Sequence, residues 1–219
     1  LPNTSAKLKK QFNIQNIEWD SIIKSNPVIS DEVKQSELIF RKIEDEEIIV
    51  SVSSNGYVKS VPSASYKKQG RGGKGVKAAS SDEDVIEHLL STSVHAYLLF
   101  FTDQGKVYRA KAHELPKTTR TAQGSLIHNV LSMSQDEKIQ AIIDTRDYET
   151  EKFLLIMTEK GTIKKSAFKD FDSNYKSLQA IKLKEDDKVV SVKTTSGIED
   201  VILVSRKGQA IRFYEKNLK

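Results

Sequence analysis

The sequence predicts an all-β chain built as a propeller-like array of small antiparallel sheets, four strands to a unit. Three observations carry this. Four segments, Ile48–Ser60, Tyr97–Arg109, Phe153–Lys165 and Val201–Arg212, align on a glycine. Those glycines, Gly56, Gly105, Gly161 and Gly208, lie 49, 56 and 47 residues apart. An acidic turn with a short apolar stretch precedes each later segment, at Asp82-Glu83-Asp84, Asp136-Glu137 and Asp186-Asp187. A period near 50 residues is that of an array of repeats.

Each aligned segment reads as a hairpin. It opens with a β-branched and aromatic run such as Leu98–Phe101, the composition of a buried strand. A polar tetrad ending in glycine follows, and the glycine supplies the positive φ that a tight turn requires. The residues after it alternate, as in Tyr57-Val58-Lys59 and Lys106-Val107-Tyr108, which predicts a strand with one buried and one wet face. Three positions before each glycine stands a hydroxyl: Ser53, Thr102, Thr158 or Ser205. Four positions after it stand Ser60, Arg109, Lys165 and Arg212, so three of four hairpins place a cation just past the turn.

The acidic motifs lead into Ile86–Leu90, Ile139–Ile143 and Val189–Val192. Taken alone, the first also fits a helix capped by Ser81. Its two counterparts read as strands, and the repeat assigns a strand to all three. Residues 1–43 do not repeat and carry a mixed apolar pattern broken by Pro27. They read as a leader or linker with one short helix. Residues 44–219 read as the repeat domain, with about three and a half units.

The chain has 219 residues, 35 Lys+Arg and 30 Asp+Glu, giving a net charge of +5. Residues 1–45 are neutral, so the excess lies in the repeats. Residues 57–77 hold six cations and no acid, and residues 105–124 hold five cations against Glu114. A mixed solvated surface accounts for any one such run. Their recurrence beside hairpin turns points to an anionic partner. The absence of cysteine excludes disulfides, thiolate metal sites and a thiol nucleophile. Apolar runs such as Tyr97–Phe101 fall far short of the ~20 residues of a membrane span. The first residues lack the apolar stretch of a secretory signal, so the reading is cytoplasmic with no membrane partner. His88, His95, His113 and His128 are scattered, and the expectation is no metal site and no catalytic residue in this segment.

The stretch Gln69-Gly70-Arg71-Gly72-Gly73-Lys74-Gly75 holds four of the ten glycines. A nucleotide phosphate loop needs Ser or Thr after Gly73-Lys74, and Gly75 stands there. A dinucleotide fingerprint needs a preceding apolar strand and an acid about 20 residues on, and neither is present. Two readings remain: a solvent loop between units, or a cationic loop along a nucleic-acid backbone. In the second, missing Cβ atoms let main-chain N–H groups approach phosphates, while Arg71 forks onto one and Lys74 supplies a mobile charge.

This heptad, QGRGGKG, closely resembles the signature box of the C-terminal domain of the DNA gyrase A subunit, usually Q-(R/K)-R-G-G-(K/R)-G. Asn55–Lys59, Asp84–Leu89, Leu99–Thr102, Gly105–Arg109 and Arg120–Gly124 also resemble that family, which covers the chain from about Glu44 onward. The resemblance implies a β-pinwheel of six blades whose basic rim wraps DNA. It implies a non-catalytic part of an ATP-dependent type IIA topoisomerase, bacterial and nucleoid-associated. Its partners would be double-stranded DNA, the N-terminal cleavage domain of the same subunit and the ATPase subunit of the gyrase heterotetramer. This segment would need no cofactor, since ATP and magnesium are used elsewhere in the complex. Gly70 departs from the box, standing where a cation usually supplies a phosphate partner. With the box, the expected DNA-backbone contacts are Lys59, Lys67, Lys68 and Lys77 in the first unit. Lys106, Arg109, Lys111, Lys117 and Arg120 continue them in the second, Lys164 and Lys165 in the third, and Arg212 in the fourth. Two alternatives stand beside this: a topoisomerase IV-type DNA-binding domain without wrapping, and a propeller-like protein-interaction module.

Overall fold

The computed structural model describes residues 43–66, 84–148 and 152–218. Residues 1–42, with their expected helix, lie outside the described residues, as do the box Gln69–Gly75 and Lys67, Lys68 and Lys77. The chain divides into two compact units, Leu1–Glu44 and Asp45–Lys219. All the described strands belong to the second.

In chain order the described strands are β1 (Glu47–Ser53), β2 (Tyr57–Pro62), β3 (Ile86–Ser93), β4 (Tyr97–Thr102), β5 (Lys106–Lys111) and β6 (Ser125–Leu126). A short helix, α1 (Ile127–Leu131), comes next. The chain continues through β7 (Ile139–Thr145), β8 (Phe153–Thr158), β9 (Ile163–Ala167), β10 (Ser177–Gln179), β11 (Val189–Thr195), β12 (Asp200–Val204) and β13 (Ala210–Tyr214). All pairings between these strands are antiparallel. The sheet orders are β3-β1-β2-β6, β10-β5-β4-β7, β11-β8-β9 and β12-β13. The protein is therefore all-β, with four hairpin-centred sheets where the repeats place them.

The turn chemistry explains the alignment residue by residue. Gly56, Gly105, Gly161 and Gly208 have φ of +78°, +77°, +83° and +79°. Each glycine N–H donates to the carbonyl of the hydroxyl residue three positions back, at 2.9, 3.1, 3.0 and 2.9 Å. The hydroxyls of Ser53, Thr102, Thr158 and Ser205 then accept the N–H of the residue after the glycine, at 3.1–3.3 Å. A repeated hydroxyl is thus a repeated turn closure.

The acidic-turn strands β3, β7 and β11 pair with the first strand of the hairpin before them, β1, β4 and β8. Each of these pairings breaks register once, beside Glu87, Gln140 and Val190. The acids dock on the preceding turn. Asp84 accepts from Asn55 N–H, Asp136 from Gln104 Nε2, and Asp187 from Lys160 N–H.

The remaining strands cross between units. β6 follows the second hairpin yet pairs with β2 of the first, and β10 follows the third yet pairs with β5 of the second. This crossing corrects one sequence expectation. β2 and β5 do not have one wet face: Val58, Lys59, Ser60 and Val61 are all buried, as are Val107 and Tyr108. A crossing strand covers their outer edge and the next unit covers one face. Only β9, with exposed Lys164 between half-buried Ile163 and Lys165, approaches the expected alternation.

The core lies between successive hairpins. Val50 and Val52 of β1 share one cluster with Leu98 and Phe100 of β4. The opposite face of β4, Leu99 and Phe101, shares a second with Leu154 and Ile156 of β8. β4 thus buries its two alternating faces against different neighbours, which is why its run Leu98–Phe101 is continuously apolar. In the fourth hairpin the positions matching Val50 and Val52 are Ile202 and Val204, and these are 62% and 68% exposed.

Candidate nucleic-acid interface

The expected backbone contacts fall into two groups. In the first, the cation is already spent on the fold. Lys59 is 3% exposed, and its ammonium donates to the carbonyls of Arg120 and Ala122 at 2.7 and 2.8 Å. Burial pulls its pKa below the ordinary lysine value, with Asp84 opposing. Those carbonyls belong to the segment that leads into β6, so Lys59 ties the crossing chain to β2.

Arg109 does the same one unit on. Its guanidinium bonds Ser173 O and lies 3.5 Å from Asp172 Oδ1, on the segment leading into β10. It also lies 4.0 Å from the Tyr97 ring centroid and 5.1 Å from that of Tyr148. Tyr148 in turn stacks on Phe168 at 5.6 Å, and burial pushes its phenol up to about 12. Lys164 donates to Ala180 O at 2.8 Å, just past β10. Lys165 lies 4.2 Å from the Phe153 ring centroid, 3.4 Å from Gly197 O and 3.3 Å from Glu215 Oε1. Tyr97 and Phe153 occupy matching hairpin positions, so a cation packed on an aromatic ring recurs.

Lys106 donates to Glu137 Oε1 at 2.7 Å, and the Tyr108 hydroxyl donates to the same oxygen at 3.0 Å. The Glu137 side chain is fully buried, and its hydrogen bond raises the Lys106 pKa. Releasing Lys106 or Lys165 to a ligand leaves a buried carboxylate oxygen without its cation, at more than the ~1–3 kcal/mol of a neutral buried group.

The second group stands in solvent. Lys111 is exposed at the end of β5. Lys117 pairs with Glu46 at 2.7 Å, and Arg212 pairs with Asp200, all four side chains being well exposed. Exposed pairs are worth about 0–1 kcal/mol, so a phosphate can displace the acid at little cost. Arg120 is half-buried, with its Nε buried and unpartnered.

The expected residues therefore do not converge as one set. Lys59 and Arg120 meet at the β6 crossing, and Arg109 and Lys111 border one pocket near β10. Sequence reasoning missed the exposed Tyr175 and Lys176 in that same pocket. The signal that could have found them is positional: 172–176 precedes its crossing strand as Arg120–Gly124 precedes β6. Among the described residues no helix is long and apolar enough to cross a membrane.

The comparisons with known proteins track the same repeats. The family described as "DNA gyrase C-terminal domain, beta-propeller" matches residues 47–95, 96–145, 152–196 and 199–214, one match per hairpin. The DNA gyrase A subunit of Mycolicibacterium smegmatis is 41% identical over 184 residues, which is 83% of this chain and 21% of that protein. The chain thus spans about a fifth of the length of the curated relatives it matches. A crystal structure of the C-terminal domain of DNA topoisomerase IV superposes with TM-score 0.70 at 31% identity, covering 81% of this chain and 55% of the other. A structure of the DNA gyrase A C-terminal domain superposes with TM-score 0.60 at 29% identity, covering 80% and 56%. Repeat by repeat, the chain belongs to the DNA gyrase C-terminal domain family and has its β-pinwheel fold.

Proposed function

We propose that this chain binds duplex DNA and wraps it, as the C-terminal part of a DNA gyrase A subunit. The match of the gyrase family to all four hairpins supports this reading most directly. Wrapping is a phosphate and deformability problem and needs no base readout. The bent duplex presents a segment of the same molecule for passage with one handedness, so that the ATP-dependent type IIA enzyme introduces negative supercoils. The cleaving tyrosine, ATP and magnesium belong to other parts of that assembly. Its partners are the N-terminal cleavage domain and the ATPase subunit, in the bacterial cytoplasm at the nucleoid. In this segment Arg71 and Lys74 of the box, with exposed Lys111 and Lys117, carry the phosphate contacts. The cations that clamp crossing segments shape the surface that presents them.

The test is an Arg71→Ala, Lys74→Ala double variant in the reconstituted enzyme. It abolishes supercoiling and spares relaxation and decatenation; undiminished supercoiling overturns the role of the box. The likeness to the topoisomerase IV domain at TM-score 0.70 favours a second reading, DNA binding without wrapping. The box separates the two, because topoisomerase IV domains resemble this chain in fold but have lost or degraded that heptad.

A further inference from the structure

Between the end of β5 and the segment leading into β10 lies a pocket of about 310 Å³, bordered by Tyr97, Arg109, Lys111, Glu114, Tyr175 and Lys176. Its parts have separable jobs. Arg109 forms the floor, its charge committed to Asp172 and the Ser173 carbonyl and its plane packed on Tyr97. The loop above is held at both ends. The Arg109 main-chain N–H donates to Lys176 O at 2.9 Å, and the Tyr175 N–H donates to the Ser173 hydroxyl at 3.1 Å.

This bracing keeps an aromatic ring in water. Tyr175 is 74% exposed, with Lys176 exposed beside it and Lys111 exposed across the pocket. Neither lysine makes an ion pair among the described residues. Lys111 Nζ lies 6.0 Å from the Tyr97 ring centroid, and two ammoniums without acids around an exposed ring suit a chain that alternates anionic groups with the hydrocarbon faces of puckered rings. That is the chemistry of a sugar–phosphate backbone. Glu114 is the opposing charge, fixed in place by accepting the Lys111 N–H at 3.2 Å.

We infer that this pocket seats one stretch of duplex backbone. Lys111 and Lys176 meet phosphate oxygens, and Tyr175 lies against the deoxyribose between them. Arg109 is a positioning residue that holds the loop and touches no phosphate. This rests on the DNA-binding reading above and adds to it two contacts, Tyr175 and Lys176, and a different role for Arg109.

The experiment is a salt titration of the full chain against a duplex of about 30 base pairs, by fluorescence anisotropy. Lys111→Gln and Lys176→Gln each lower the magnitude of the log–log salt slope by about 0.9. Tyr175→Ala weakens binding about threefold to tenfold at an unchanged slope, and Tyr175→Phe weakens it less than Tyr175→Ala does. Arg109→Lys keeps the charge but loses the fork, so it weakens binding like Tyr175→Ala, at an unchanged slope. The two changes together bind no worse than Arg109→Lys alone. Glu114→Gln tightens binding. Tyr175, Lys111 and Lys176 are exposed, so their variants keep the wild-type melting temperature and remain interpretable if Arg109→Lys unfolds. A steep wild-type slope left unchanged by both lysine variants, with affinity left unchanged by Tyr175→Ala, overturns the seat alone. Competition of inorganic phosphate with the duplex only at the wild-type pocket, without any effect of Tyr175→Ala, also overturns it in favour of a small-anion site. A wild-type chain that does not bind duplex DNA overturns the DNA reading and the seat with it.

Discussion

The Lys59 ammonium donates to the main-chain oxygens of Arg120 and Ala122, 61 and 63 residues further along the chain. A lysine in a basic run thus works as a tie between two units. Lys59→Met removes the donor and strands two carbonyls where the site admits little water. It should destabilise by about 1–3 kcal/mol. Thermal unfolding reads this as a loss of several degrees, at ~2–4 °C per kcal/mol for a domain of this size. The salt slope for duplex DNA stays unchanged. A lower slope with unchanged stability would return Lys59 to the phosphate contacts.

Glu137 is the buried partner of Lys106 and Tyr108, and its second carboxylate oxygen is buried without a hydrogen bond. Lys106→Met leaves that charge uncompensated. The cost approaches the ~3–5 kcal/mol of broken buried pairs, reduced because Lys106 itself is partly exposed. Lys106→Met with Glu137→Gln recovers much of the loss. Denaturant midpoints of the four-member cycle measure this, and additive losses would contradict it.

The turn glycines differ in what surrounds them. A Cβ on Gly105 would stand 2.5 Å from Ile181 O, because the chain past β10 packs on that turn. A Cβ on Gly161 meets no described atom within 4 Å. Both have positive φ, so Ala costs each about 1–2 kcal/mol of backbone strain. Gly105→Ala adds a main-chain clash and should cost clearly more than Gly161→Ala. Equal urea midpoints for the two would show that the contact at Gly105 relaxes freely.

The hairpins were legible because their chemistry is local. A glycine, a hydroxyl three positions before it and an apolar run fix each turn and its two strands. The acidic motifs were legible as strands only through their repetition. The crossings were not legible. β6 is Ser125-Leu126 and β10 is Ser177–Gln179, too short and too polar to announce strands. Their partners lie more than 60 residues away, where no spacing rule reaches. Helix α1 is five residues long and was equally hidden; Ile127 and Leu131 bury its inner side. In the site, the sequence found the cations but not their acceptors. A carbonyl from a crossing segment and a phosphate from DNA ask for the same residue. Only the burial of Lys59 and the fork of Arg109 onto Ser173 and Asp172 separate them from Lys111.

Acid should loosen the acidic turns. At Asp187 burial pushes the pKa up, but the Lys160 N–H, Thr158 hydroxyl and Lys188 N–H outweigh it and hold the carboxyl below its ordinary value. At Glu215 burial is likewise outweighed, by Thr195, Glu199 N–H and Lys165. A depressed folded pKa gives stability that is present above the unfolded value near 4 and lost as pH falls through the folded one. Urea midpoints should therefore hold between about pH 5 and 7 and fall below about pH 4. Asp187→Asn should make that acid limb shallower. An identical limb in the variant would contradict the assignment.

Wrapping is the central claim, and linking number reads it directly. Passing one duplex through another inverts a crossing, so negative supercoils require that the wrapped crossing be positive. Nicked plasmid is to be ligated with increasing amounts of the chain, then stripped of protein and resolved on chloroquine gels. The account predicts a shift of the topoisomer distribution to positive linking number, growing with bound protein and disappearing with Arg71→Ala and Lys74→Ala. Saturating duplex binding with an unshifted distribution would contradict wrapping and leave a DNA-binding domain alone.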